Sequence, residues 1–157
     1  MHLDVILSNH VEAVNNLLYV AGGGINAGYV PSGAPPPYGV TVGIGMLITV
    51  PWLMTNQQHK IEITLVEEAG RPVQLPVGQE ASEPLCAVLA FNVGRPADLA
   101  AGDDQIIALA TNLVNLPMPA MGKYEFVLSV NGNPERRLSF RVKQAPGGQM
   151  TFGPSVR

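Results

Sequence analysis

The sequence predicts an all-β fold: two packed antiparallel sheets forming a β-sandwich or jelly roll of about eight or nine strands, with a closed β-barrel as the alternative. Three observations predict it. Apolar and polar residues alternate at period two through most segments, the mark of strands with one face in a core. Turn signals such as "GGG", "SGAPPPYG" and "NGN" recur at short intervals, so the many Gly and Pro punctuate strands rather than mark a disordered tract. No stretch sustains a helical period, and strands without helices pack best as sheet on sheet.

In chain order, Leu3, Val5 and Leu7 face one way while Asp4 and Ser8 face the other. A second strand is expected over about Leu17 to Ala21, ending at the glycine triplet. The uncharged run from Tyr38 to Met54 is too short for a membrane helix and is broken by Gly and Pro, so it reads as a long buried strand, Tyr38 to Val50. Ile61, Ile63 and Leu65 then alternate with Glu62 and Thr64. Less regular strands are expected at about Pro72 to Leu75, Cys86 to Val93 and Gln105 to Leu116. Tyr124, Phe126, Leu128 and Val130 alternate with Lys123, Glu125 and Ser129. Leu138, Phe140 and Val142 alternate with Arg137, Ser139 and Arg141.

The last two strands form a hairpin whose register can be argued. Their core faces must coincide, so Phe126 should oppose Leu138 and Tyr124 should oppose Phe140, a parity that needs an odd number of loop residues. Asn131-Gly132 invites a two-residue turn, which alone would set Phe126 against Arg137. The expectation is a three-residue loop, Asn131 to Asn133, or a two-residue turn with a compensating bulge. Glu125 then lies diagonal to both Arg137 and Arg141 on the outer face.

A chain of 157 residues supports one core, so residues 1–143 are read as a single domain followed by a Gly- and Pro-containing tail, 144–157. Only 13% of the residues are charged, about half the usual share. From Ala13 to Gln58 there is no charged residue and no His, and the stretch from Gln105 to Gly122 is also uncharged. Such stretches thread a core or lie against another subunit. A net charge of −3 argues against nucleic acid or an anionic membrane as partner. The lone Cys86 excludes an internal disulfide, and its apolar neighbours predict a buried, inert thiol. The N-terminus lacks a basic leader, and Asp4 interrupts its apolar stretch, so a cytoplasmic location is expected.

Candidate sites are few. "LYVAGGGINA", Leu18 to Ala27, fits the glycine spacing of a dinucleotide-binding turn. That turn works only with a helix directly behind it, whose N-terminus binds pyrophosphate, and Pro31 and Pro35 to Pro37 forbid one. The glycines are read instead as a strand exit needing backbone freedom. For a metal, His2, Asp4 and His10 are the weak candidates, with Glu12 and His59 the remaining material. His2 and Asp4 share a strand face, but two ligands do not make a site. Asp103-Asp104 reads as a solvated turn. No G-x-S-x-G elbow offers a serine nucleophile. Arg136, Arg137, Arg141 and Lys143 form the one basic cluster, expected to pair with Glu125 and Glu135. No catalytic residue, cofactor or native metal is therefore expected.

Several segments, "LYVAGGG", "HKIEITLVEEAGRPV", "NVGRPADLAAGDDQIIALATNLVNLPMPAMGKYEFVLSVNG" and "LSFRV", resemble a family of small, uncharacterised bacterial proteins, largely actinobacterial. The similarity runs from about Leu3 to Val142, and it implies a β-rich intracellular fold with no assigned activity. Low charge, neutral blocks and the apolar tail residues Met150 and Phe152 together predict a non-enzymatic module that works by protein–protein assembly, as a homo-oligomer or a component of a larger complex. Met150 and Phe152 are the expected interface residues. The alternative is a small-ligand or metal-binding β-sandwich, conceivably an enzyme.

Overall fold

The computed structural model describes residues 1–77 and 81–146. It is all-β. The strands are β1 (His2–Val14), β2 (Leu17–Gly23), β3 (Ala27–Val30), β4 (Tyr38–Val50), β5 (Gln58–Glu67), β6 (Gln74–Val77), β7 (Ala81–Pro84), β8 (Cys86–Asn92), β9 (Gln105–Met118), β10 (Gly122–Val130) and β11 (Asn133–Gln144), with one 3-10 turn at Trp52–Met54. Two main sheets form, ordered β2-β1-β4-β9 and β3-β11-β10-β5-β8, and β6 and β7 make a separate small hairpin. The eleven strands among the described residues exceed the expected eight or nine because β3 and β7, four residues each, are too short to show a period. The arrangement is also not wholly antiparallel, since β3 runs parallel to β11, with Ala27 opposite Arg141. After the glycine triplet the chain leaves the edge of the first sheet and joins the edge of the second, where Asn26 accepts from the Arg141 amide.

Alternation builds the core between the sheets. On β4 the even positions Val42, Ile44, Met46, Ile48 and Val50 are fully buried, and they meet Ile61, Ile63, Phe126, Leu128 and Phe140 in one continuous apolar cluster. The Phe126 and Phe140 rings sit tilted, 5.7 Å apart between centroids, a favoured aromatic geometry. The β10–β11 hairpin takes the second of its two expected forms. Asn131 and Gly132 both have positive φ, 50° and 85°, as a two-residue primed turn demands. A bulge follows: Leu128 pairs with Arg136 but Ser129 with Pro134, so Glu135 is the extra residue. The bulge restores the parity that sets Phe126 opposite Leu138 and Tyr124 opposite Phe140. Pro134, lacking an N–H, falls where the ladder is already interrupted.

The first sheet curls over its own outer face. β1 pairs with β4 through Ser8 and with β2 from Ser8 onward, and the β1–β2 hairpin bends across β4 toward β9. Gly43 and Gly45, on the outer side of β4, make room. A Cβ at Gly43 would lie 2.8 Å from Ser8 Oγ and 3.1 Å from the His10 carbonyl carbon, and one at Gly45 3.1–3.2 Å from Leu18, Ile6 and Val11. The hairpin is fastened to β9 by two asparagines. Asn112 accepts from the Val11 N–H at 3.0 Å and donates to the Val11 carbonyl at 2.8 Å. Asn16, at the hairpin tip, donates to the Ile106 carbonyl and accepts from the Ala108 N–H, both at 2.8 Å. Each amide thus acts as a one-residue strand, offering one donor and one acceptor to backbone groups of the facing strand.

Candidate binding surfaces

The glycine triplet behaves as a strand exit. Gly22 and Gly24 have φ of 64° and 85°, a conformation that favours glycine, and the Gly24 N–H donates to the Leu7 carbonyl at 2.8 Å. The following element is β3, so no helix N-terminus faces the turn.

The weak metal candidates are not brought together. His2 lies 3.0 Å from Asp4 and also borders Arg136 Nη2, whereas His10, beyond the point where β1 leaves β4, pairs with Glu12 at 3.1 Å. Among the described residues no group of three His, Cys, Asp or Glu side chains converges. His59 is buried for a different reason: it faces the Met54 carbonyl through Nε2 at 2.7 Å and Asn131 Nδ2 through Nδ1 at 3.2 Å. Through these two contacts the ring ties the 3-10 turn to the β10–β11 hairpin.

On the outer face of β10 and β11, Arg141 of the basic cluster lines a cleft of about 210 Å³ together with Lys123, Glu68, Glu125 and Ser139. Arg137 donates to Glu125 at 3.1 Å. Arg141 stands directly opposite Lys123, an unfavourable like-charge pair. Glu68 relieves it, accepting from Lys123 Nζ at 2.6 Å. The Lys123 hydrogen bond and charge, with Arg141 adding to them, hold the Glu68 carboxyl below its ordinary range. Burial pushes the Tyr124 phenol up, while its hydroxyl donates to the Ala120 carbonyl at 2.7 Å. The carboxylate is thus kept ionised, the opposite of what a general acid needs, and the cleft's charges largely cancel. Asp103 and Asp104 are exposed in a loop, as expected of a solvated turn.

Two surfaces remain. On the outer face of the first sheet, Ile6, Leu18, Val20 and Leu47 line an open apolar groove of about 380 Å³ over Gly45. At the hairpin tip beside it Leu17 is 59% exposed, as is Ile106, to whose carbonyl Asn16 donates. The second surface is the edge strand β8. Its expected buried thiol is corrected: Cys86 is exposed. Among the described residues β8 is bonded to β5 on one side only, so it alternates, with Ala87, Leu89 and Phe91 half-buried toward the core and Cys86, Val88, Ala90 and Asn92 outward. An apolar run without polar punctuation looks the same from the sequence whether one face or both are covered.

The residues that shape these surfaces most, Asn16, Asn112 and Asn131, escape sequence reasoning, since an uncharged polar residue amid apolar ones carries no periodic signal. The tail residues Met150 and Phe152 lie outside the described residues. Among the described residues no helix is long and apolar enough to cross a membrane.

No curated protein and no solved structure matches the chain. A family model does match, over residues 3–143, nearly the span that the sequence assigns to one domain and ending one residue short of the last residue of β11. With nine-tenths of its length accounted for in this way, the chain belongs to the family of unknown function DUF6941.

Proposed function

We propose that the protein is a non-enzymatic module that works through protein–protein assembly, as a homo-oligomer or a component of a larger complex, in the cytoplasm of a bacterium. The observation that carries this reading is the edge of β8, a seven-residue strand with no charged residue, no Pro and one open side among the described residues. Natural sheets guard such edges with Lys, Pro, bulges or covering segments, because an open edge pairs with any strand offered to it. Two of the other edges are guarded: Asn16 fills backbone positions on β9, and β3 is four residues long. An open edge of the length of β8 supports a role in pairing. Apolar exposure at Leu17, Tyr19 and Ile106 is of the same kind.

The test is light scattering after size exclusion, over a range of concentrations, joined to native mass spectrometry. A mass that is a multiple of 16.6 kDa is expected. A monomer carrying a stoichiometric metal or small molecule would replace this reading with that of a ligand-binding sandwich.

A further inference from the structure

We infer that Asn131 is a site of spontaneous deamidation: its side-chain amide cyclises onto the Gly132 nitrogen when the end of the β10–β11 hairpin parts from β5, and the hydrogen bonds of the closed fold hold that reaction off. Assembly is not required for it.

Asn131-Gly132 is the one Asn-Gly pair in the chain. Asparagine is a thermally labile amide, and glycine after it promotes the loss, because no Cβ crowds the backbone nitrogen that attacks. Gly132 has a φ of 85°, and a Cβ built there would meet nothing within 4 Å, so water reaches the turn. The chemistry needs water alone. Gly132 N attacks Asn131 Cγ, and a new C–N bond closes a five-membered succinimide. The Cγ–Nδ2 bond breaks, and Nδ2 leaves as ammonia with the proton that Gly132 N gives up. Water then opens the ring at either carbonyl, leaving aspartate or isoaspartate.

The closed fold opposes the first step. Asn131 Oδ1 accepts from the Lys60 N–H, and the Asn131 N–H donates to the Lys60 carbonyl, both at 2.9 Å. A backbone N–H needs an acceptor, so Lys60 fixes which end of the amide is oxygen, and Nδ2 then lies 3.2 Å from His59 Nδ1. An amide bonded to β5 through both ends cannot bring Cγ onto the Gly132 nitrogen, or release Nδ2, until those bonds part. Val130 opposite Ile61 is the last ladder pair of β10 and β5, so Asn131 sits where the pairing ends, and a local opening suffices.

Conversion runs one way. The carboxylate still accepts from Lys60 but has no hydrogen to offer His59 Nδ1, so the tie between the 3-10 turn and the hairpin is lost. Isoaspartate also lengthens the main chain inside a two-residue turn whose register the bulge already sets. The turn thus keeps a chemical record of having opened, and each conversion loosens it further.

Peptide mapping by mass spectrometry, with an isoaspartyl methyltransferase as the probe for isoaspartate, tests this in mildly alkaline buffer. In guanidinium chloride, Asn131 should convert at least tenfold faster than in the native protein, and ahead of every other asparagine. His59→Phe keeps an aromatic ring but leaves Nδ2 without its partner, so native conversion should rise severalfold with an unchanged far-ultraviolet spectrum. Where that variant does not fold, the comparison of native with unfolded wild type decides. Asn131→Asp should melt below wild type. Equal rates in native and unfolded protein, or an unchanged rate in folded His59→Phe, would overturn the gating. Faster conversion at another asparagine of the unfolded chain would overturn the site, and an unchanged melting temperature in Asn131→Asp would overturn the loosening.

Discussion

Asn112→Ala is the sharpest test of how the first sheet holds its curl. The substitution removes two hydrogen bonds, from the Val11 N–H at 3.0 Å and to the Val11 carbonyl at 2.8 Å. Each such bond contributes about 1 kcal/mol net. Val11 is buried, so its freed amide and carbonyl have little water to turn to. The expected loss is therefore about 2 kcal/mol, which for a chain of this size lowers the thermal midpoint by about 4–8 °C. Urea denaturation measures the loss directly, and hydrogen exchange locates it: the Val11 amide should lose protection while the β10 amides keep theirs. Asn16→Ala removes the companion pair of bonds to Ile106 and Ala108. Because both side chains fasten one hairpin, the double variant should cost less than the sum, by about 0.5 kcal/mol or more. A loss from Asn112→Ala below about 0.5 kcal/mol, or strict additivity with Asn16→Ala, would show that the hairpin is held by its apolar contacts instead.

Three other outcomes follow from the same geometry. Gly43→Ala places a methyl 2.8 Å from Ser8 Oγ and 3.1 Å from the His10 backbone, so it should destabilise by about 1–3 kcal/mol as overpacking does, read by urea titration. Asn131→Gly keeps the positive φ but loses the contacts to His59 and Lys60; Asn131→Ala should be about 1 kcal/mol worse still, the cost of a left-handed non-glycine, and equal stability of the two would refute that account. Lys123 holds the Glu68 carboxyl low, so ionised Glu68 favours the fold above its unfolded-state value, and the benefit is lost as pH falls through the lower folded value. Carboxyl chemical shifts followed against pH should move the Glu68 midpoint up toward the ordinary range in Lys123→Met.

Where burial is one-sided, the chain can be read directly. β1, β5, β10 and β11 declare themselves by alternation, and β4 occupies Tyr38–Val50 as its uncharged run implies. Even the bulge at Glu135 is foreshadowed, because core parity and the Asn131-Gly132 turn conflict by one residue. Alternation fails where its causes do. β3 and β7 are too short for a period, and parallel pairing of β3 with β11 depends on where the chain crosses after Gly24, which no local pattern records. Cys86 misleads because an edge strand rich in Ala and Val looks like a central one. The lack of any converging acid–base or metal set in the sequence leaves the candidate surfaces to be found from strand order alone, and strand order is a property of the whole fold.

The amides that close the first sheet have a consequence for where the protein can keep its shape. Asn16 and Asn112 neither titrate nor attract counterions, whereas the surface pairs Lys60–Glu62, Arg71–Glu67 and Arg137–Glu125 weaken as ionic strength rises. Molar sodium chloride should therefore weaken the outer charge ladder yet leave the hairpin clamped on β9, so that the curl survives screening that the surface pairs do not.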